Sequence, residues 1–157
     1  MVVAGVFAAL LAVLSQISIP LPTGIPVTLQ TFAVALCGFA LGPGLGTAAV
    51  GVYLALGAVG IPVFAGFSGG IGSFVGMTGG YLWAFLPMAF LCGLGARQKN
   101  RALALTVGFL GLVICHLCGS FQFALVSAVS PWNAFLLASA PYLLKDAASL
   151  VAAYLAA

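Results

Sequence analysis

Apolar residues in this chain run together in long blocks, separated by short clusters of Gly, Pro and Asn. The blocks Met1–Leu14 and Ala102–Leu117 lack the period-2 alternation of a membrane β-strand. The first block predicts a helix from near Met1 to about Ile17. It ends where Pro20, Pro22 and Pro26 crowd into seven residues, because proline lacks the amide hydrogen that continues a helix. Helix 2 is expected over about Thr28–Leu41, stopping at Gly42-Pro43-Gly44. Helix 3 is expected over Leu45–Val59, stopping at Gly60-Ile61-Pro62. Helix 4 should cover Tyr81–Ala96, helix 5 Ala102–Ala128, and helix 6 Ala134–Tyr154 with Pro141 inside it. A crossing needs about 20 apolar residues, so six helices fill the chain. The expected fold is an all-α integral membrane protein, one bundle of six transmembrane helices over residues 1–157.

Composition supports this reading. Of 157 residues, 64% are apolar and 3% are charged, against about 25% charged in a soluble domain. So few charges cannot cover a water-facing surface. A water-soluble globular protein, a nucleic-acid binder and a disordered chain are excluded. No extramembrane domain is expected. No basic stretch precedes the first apolar run, so that run is expected to be helix 1 and not a cleavable signal. Three of the four basic residues, Arg97, Lys99 and Arg101, share one turn. Such turns stay cytoplasmic, which places both termini in the cytoplasm and the chain in the cell membrane. Segments 18–28, 61–80 and 129–133 then face outward. Val63–Gly80 alone holds seven of the 21 glycines. Long Gly- and Pro-rich loops in a small protein are usually functional, so the ligand site is expected at the extracellular side. Gly69, Gly70, Gly79 and Gly80 would let the loops 18–28 and 61–80 close over it.

Lys145 and Asp146 are the strongest chemical signal. Each costs roughly 2.5–3.5 kcal/mol at the centre of a membrane helix, and such residues mark function by default. Tyr142, Lys145, Asp146 and Ser149 stand on one helical face, and Ser139 extends it. On a continuous helix 6, Asp146 would lie roughly 20 Å along the axis, too deep to be solvated without a cavity. His116 heads a weaker stripe with Ser120 and Ser127. Cys115-His116-Leu117-Cys118 has the C-x-x-C form but lacks two further metal ligands, and Cys37 and Cys92 likewise read as small apolar residues. No metal and no cofactor is expected. Ala4, Ala8 and Ala12 form a close-packing face. Phe64, Phe67, Phe74 and Tyr81 could wall a ligand.

Two resemblances bear on function. Gly66-Phe67-Ser68-Gly69 and His116-Leu117-Cys118-Gly119 resemble the Ser/His dyad pieces of rhomboid intramembrane serine proteases, which would make Ser68 the nucleophile and His116 its base. Longer strings point elsewhere. Pro26-Val27-Thr28-Leu29-Gln30-Thr31-Phe32, Gly42-Pro43-x-x-Gly46, Leu56 to Gly66, and Thr78-Gly79-Gly80-Tyr81-Leu82 closely resemble the BioY family, nearly end to end. These are the biotin-specific S components of energy-coupling-factor (ECF) transporters. The resemblance implies a six-helix protein that is not an enzyme. It implies biotin held near the outer face, and partnership with a T-type transmembrane subunit and two ABC-type ATPases. It makes Tyr81 and Asp146 ligand contacts and the Ala4, Ala8, Ala12 face the docking surface for the T subunit. Lys145 stands just before the acid, where many members have a Lys three residues after it; that position is Ser149 here.

Overall fold

The computed structural model describes residues 1–157. α1 (Val2–Ser15) is a run of Val, Ala and Leu that stops before the prolines. The chain then forms a short antiparallel ribbon, β1 (Ser18–Ile19) against β2 (Val27–Thr28), with Ser18 opposite Thr28. This strap, residues 18–28, takes the place of a structureless loop.

α2 spans Gln30–Ala58 but is two antiparallel limbs, not one rod. Gly42 sits at φ +77°, ψ 178°, a left-handed backbone region that only glycine enters cheaply. Pro43 follows in the first turn of the second limb, where its missing amide hydrogen is no loss. Two observations establish the reversal. Gln30 hydrogen-bonds Tyr53, although a straight helix would hold them about 34 Å apart. A Cβ added to Gly46 would overlap the Cys37 carbonyl. The Gly42-Pro43-Gly44 stop was therefore legible.

The segment after α2 contains a 3-10 turn over Ala65–Phe67 and one helical turn, α3 (Gly72–Val75). α4 (Gly79–Ala96) begins two residues before the expected Tyr81. Asn100 caps α5 (Arg101–Ser127) by accepting from the Ala102 amide at 2.8 Å. Ser130 and Pro131 open α6 (Pro131–Ala138). The expected continuous sixth helix is broken: a 3-10 turn over Ala140–Tyr142 separates α6 from α7 (Leu143–Ala156). Pro141 has no amide hydrogen and disrupts the ladder there. Asp146 consequently lies in the first turn of α7, where the helix dipole favours an acid, and not deep along an unbroken helix.

Four helical segments are long and apolar enough to cross a bilayer: Gln30–Ala58, Gly79–Ala96, Arg101–Ser127 and Pro131–Ala156. The protein is a multi-pass membrane protein. Large apolar side chains such as Val13, Leu110, Leu125, Leu144 and Leu155 point outward, as lipid requires. The core lies among α1, α2, α4, α5 and α7, with Leu11, Val34, Val50, Met88 and Leu150 sealed inside. Backbones approach closely through glycine: an added Cβ at Gly93 would strike Pro43, and one at Gly95 the Ala104 carbonyl. In lipid, helix association depends on such packing.

These contacts also define two ends. The Gly42 reversal, Gly93–Gly95 and the exposed basic turn share one end. The strap, the 63–78 segment and the α6–α7 break share the other.

Ala4 and Ala8 are buried in the core cluster beside α2, and Ala12 is partly buried against it. The close-packing face expected at Ala4, Ala8 and Ala12 finds its partner within the chain: the stripe turns inward and is not presented for docking. The face of α1 left exposed carries Val2, Gly5, Val6, Ala9 and Val13.

Candidate functional site

At the end opposite the basic turn, segments distant in sequence enclose a cavity of about 250 Å³. The strap supplies Gly24, Ile25, Pro26 and Thr28, and the start of α2 supplies Gln30 and Thr31. Phe64, Ala65, Ser68, Ser73 and Thr78 come from the glycine-rich segment. α4 adds Tyr81, Leu82 and Phe85, and α5 adds His116. Ala138, Tyr142, Lys145 and Asp146 come from around the α6–α7 break.

The charged group is built around the chain's single acid. Asp146 is buried. Its Oδ1 pairs with Lys145 Nζ, and its Oδ2 lies 3.1 Å from His116 Nε2. The His116 approach has ionic separation without hydrogen-bond angles, and its Nδ1 has no partner. Lys145 also donates to the Thr28 carbonyl at 2.7 Å. An isolated carboxylate in this apolar surrounding would be costly; the Lys145 ammonium and the helix start offset that cost.

The α6–α7 break also latches the strap. Tyr142 Oη donates to the Ile25 carbonyl at 2.6 Å and lies 3.1 Å from Thr23 Oγ1. With Lys145 on Thr28, α7 and the turn before it hold the strap at two points. Pro141 lacks an amide hydrogen, and the Tyr142 amide bonds the Ser139 carbonyl. The Ala138 carbonyl is satisfied instead by Tyr81 Oη. Tyr81 Oη also lies 3.0 Å from Ser139 Oγ, which contacts Ser120. The Tyr81 ring stands edge-on to His116 with centroids 5.9 Å apart.

Two glutamines hold the glycine-rich segment. Gln16 donates to the Val63 and Phe64 carbonyls at 3.1 and 3.0 Å and accepts from the Phe67 amide at 2.9 Å. Gln122 donates to the Phe74 and Gly76 carbonyls, both at 2.8 Å.

Of the residues expected around a ligand, Tyr81, Tyr142, Lys145, Asp146 and Phe64 meet on the cavity wall. Others do not. Phe67 points outward and is 72% exposed, because Gly66 and Phe67 both take positive φ and turn the loop tip away. Phe74 is buried between Phe64 and Trp83, behind the wall. Ser149 is buried one turn beyond Asp146. Gly79 and Gly80 are packing positions: an added Cβ would strike the Phe74 and Cys118 carbonyls respectively. The Ser/His dyad is not assembled. Ser68 donates to its own loop at the Ala65 carbonyl, 2.9 Å away, and His116 faces Asp146.

Sequence reasoning missed Thr28, Gln30, Thr31 and the pairing of His116 with Asp146. A signal existed for Gln30, the only side-chain amide between residues 17 and 97. Nothing in the sequence ties His116 to a residue thirty positions away.

The BioY family profile matches residues 1–157. The probable biotin transporter BioY of Pyrococcus horikoshii is 44% identical over 140 residues, which cover 89% of this chain and 82% of that one. The biotin transporter BioY of Thermotoga maritima is 49% identical over 119 residues, 75% of this chain and 70% of that one. The crystal structure of the S-component for biotin from an ECF-type ABC transporter superposes with a TM-score of 0.90 at 26% identity, covering 99% of this chain and 86% of that one.

Proposed function

Because this chain belongs to the BioY family, we infer that it is the biotin-binding, substrate-specificity subunit of an ECF-type vitamin transporter. It is a transporter component and not an enzyme. The observation that carries this reading is the near-complete correspondence of the fold with a biotin S-component.

The cavity supports it chemically. Small-molecule pockets run from about 300 Å³ upward, so a 250 Å³ cavity suits a compact ligand. Biotin combines a ureido ring with N–H donors and a carbonyl, an apolar thiophane ring, and a carboxylate tail. Leu82, Phe85, Phe64 and the Tyr81 ring offer an apolar wall. Asp146, Lys145 and His116 offer charge and hydrogen bonds on the opposite side of the chemistry. No cofactor enters this scheme.

The finer arrangement is part of the proposal. The two limbs of α2 count as two crossings, α1 as another, and α4, α5 and the broken α6–α7 pair complete six. The basic turn Arg97–Arg101 sits in the cytoplasm with both termini, the chain lies in the cell membrane, and the cavity opens outward. Energy comes from two ATPases acting through a T subunit. That subunit packs on the exposed face of α1, where Gly5 and Ala9 leave room for a close helix.

Titration of the purified protein with biotin tests the reading. Saturable one-to-one binding is expected, displaced by unlabelled biotin in a labelled assay. Absence of binding in folded protein would overturn it.

A further inference from the structure

A buried hydrogen-bonded relay reaches the cavity from outside the charged group. Ser15 ends α1, Tyr53 lies on the second limb of α2, and Gln30 begins the first limb. Ser15 and Tyr53 are each 0% exposed and do not line the cavity. The Ser15 hydroxyl donates to the Leu11 carbonyl at 2.7 Å. A hydroxyl has one proton, so at its 2.9 Å contact with Tyr53 Oη Ser15 can only accept. Tyr53 therefore gives its proton to Ser15, and at 2.6 Å from Gln30 Nε2 its oxygen can only accept. Gln30 must turn its NH2 group toward Tyr53. The opposite side of the amide, Oε1, makes no hydrogen bond within the protein and is not sealed from space. Gln30 lines the cavity. Both oxygens of Asp146 face basic side chains, so Gln30 Oε1 stands as an unengaged side-chain acceptor in the wall.

We propose that Gln30 is a specificity-determining residue whose Oε1 accepts an N–H of the bound ligand, and that Tyr53 and Ser15 are positioning residues that fix the direction of its amide. The proposal rests on the biotin reading above: a cyclic urea supplies the N–H donor. An acceptor buried against a ligand without a donor is penalised, so Gln30 Oε1 selects a ureido N–H over a blocked nitrogen.

Calorimetry with biotin and with the two mono-N-methyl ureido isomers of biotin tests this on the purified full chain. Wild type should prefer biotin over both isomers. Gln30→Met keeps side-chain length without an acceptor; it should bind biotin roughly tenfold more weakly and lose much of its preference over one isomer. Tyr53→Phe should weaken biotin in the wild-type background and add nothing in the Gln30→Met background. Ser15→Ala frees Tyr53 to donate to Gln30 and reverse its amide, so it should weaken biotin at least as much as Tyr53→Phe. These two variants decide the matter if Gln30→Met fails to fold. Wild-type affinity and preference in Gln30→Met would overturn the proposal. So would unchanged biotin affinity in both Tyr53→Phe and Ser15→Ala. Additive losses in the double variant would reduce Tyr53 to a structural role and overturn its positioning part. A wild-type protein that ignores biotin would overturn this inference together with the function; a wild type that binds, beside unchanged variants, overturns this inference alone.

Discussion

Asp146 illustrates how a buried carboxylate is made tolerable. It is the chain's single acid, buried, set at the start of α7, and flanked by Lys145 and His116. Asp146→Asn leaves those two groups facing a neutral amide. Removing one partner of a buried polar pair costs about 1–3 kcal/mol, and the wetter Lys145, 29% exposed at its side chain, holds the loss toward the lower part of that range. The variant should remain folded with a lowered melting temperature, and its biotin affinity should fall at least about tenfold, or 1.4 kcal/mol. Adding Lys145→Met should recover part of the lost stability, since the orphaned charge is gone. Thermal melts and biotin titrations of the single and double variants check this. An Asp146→Asn protein with unchanged affinity would make the charged group purely structural.

At the level of elements, interruptions in the helices build the site. The α6–α7 break frees the Ala138 carbonyl for Tyr81 and sets Tyr142 and Lys145 against the strap. Tyr81 can reach the break because Gly80 beside it lets α4 lie directly on α5, with Cys118 in contact. Gly80→Ala forces the Cys118 carbonyl and α4 apart. Overpacking of this kind costs about 1–3 kcal/mol, so the variant should melt at lower temperature and lose biotin affinity with it. If Gly80 served only as a loop hinge, its melting temperature would not change; a melt of the ligand-free protein separates the cases.

For the whole molecule, the two faces of α1 divide the labour. The inner face, Ala4 and Ala8 among it, packs in the core; the outer face presents Gly5 and Ala9. Ala8→Trp should destabilise the isolated protein by overpacking and abolish biotin binding through misfolding. Ala9→Trp should leave melting temperature and biotin affinity intact but prevent co-purification with the T subunit and stop uptake. Intact uptake by Ala9→Trp would remove α1's outer face from the docking proposal.

The sequence by itself determined the medium and the punctuation. With five formally charged side chains in 157 residues, no water-facing surface could form, and Gly42-Pro43 and Pro20–Pro26 stop helices wherever they stand, because φ and the amide hydrogen are local properties. That Tyr142, Lys145 and Asp146 share one side was also legible, since it follows from local helical spacing, and all three line the cavity. Only the tertiary structure decided which face of α1 points inward, that Phe67 turns out while Gln30 turns in, and that His116 meets Asp146. Those outcomes depend on helix rotation and on contacts between residues far apart in sequence. Small residues recur on both faces of α1, so composition carries no sign of the choice. The Gln30 amide is the sharpest case: its direction follows from counting protons through Tyr53 and Ser15, and that count exists only once three helical segments have come together.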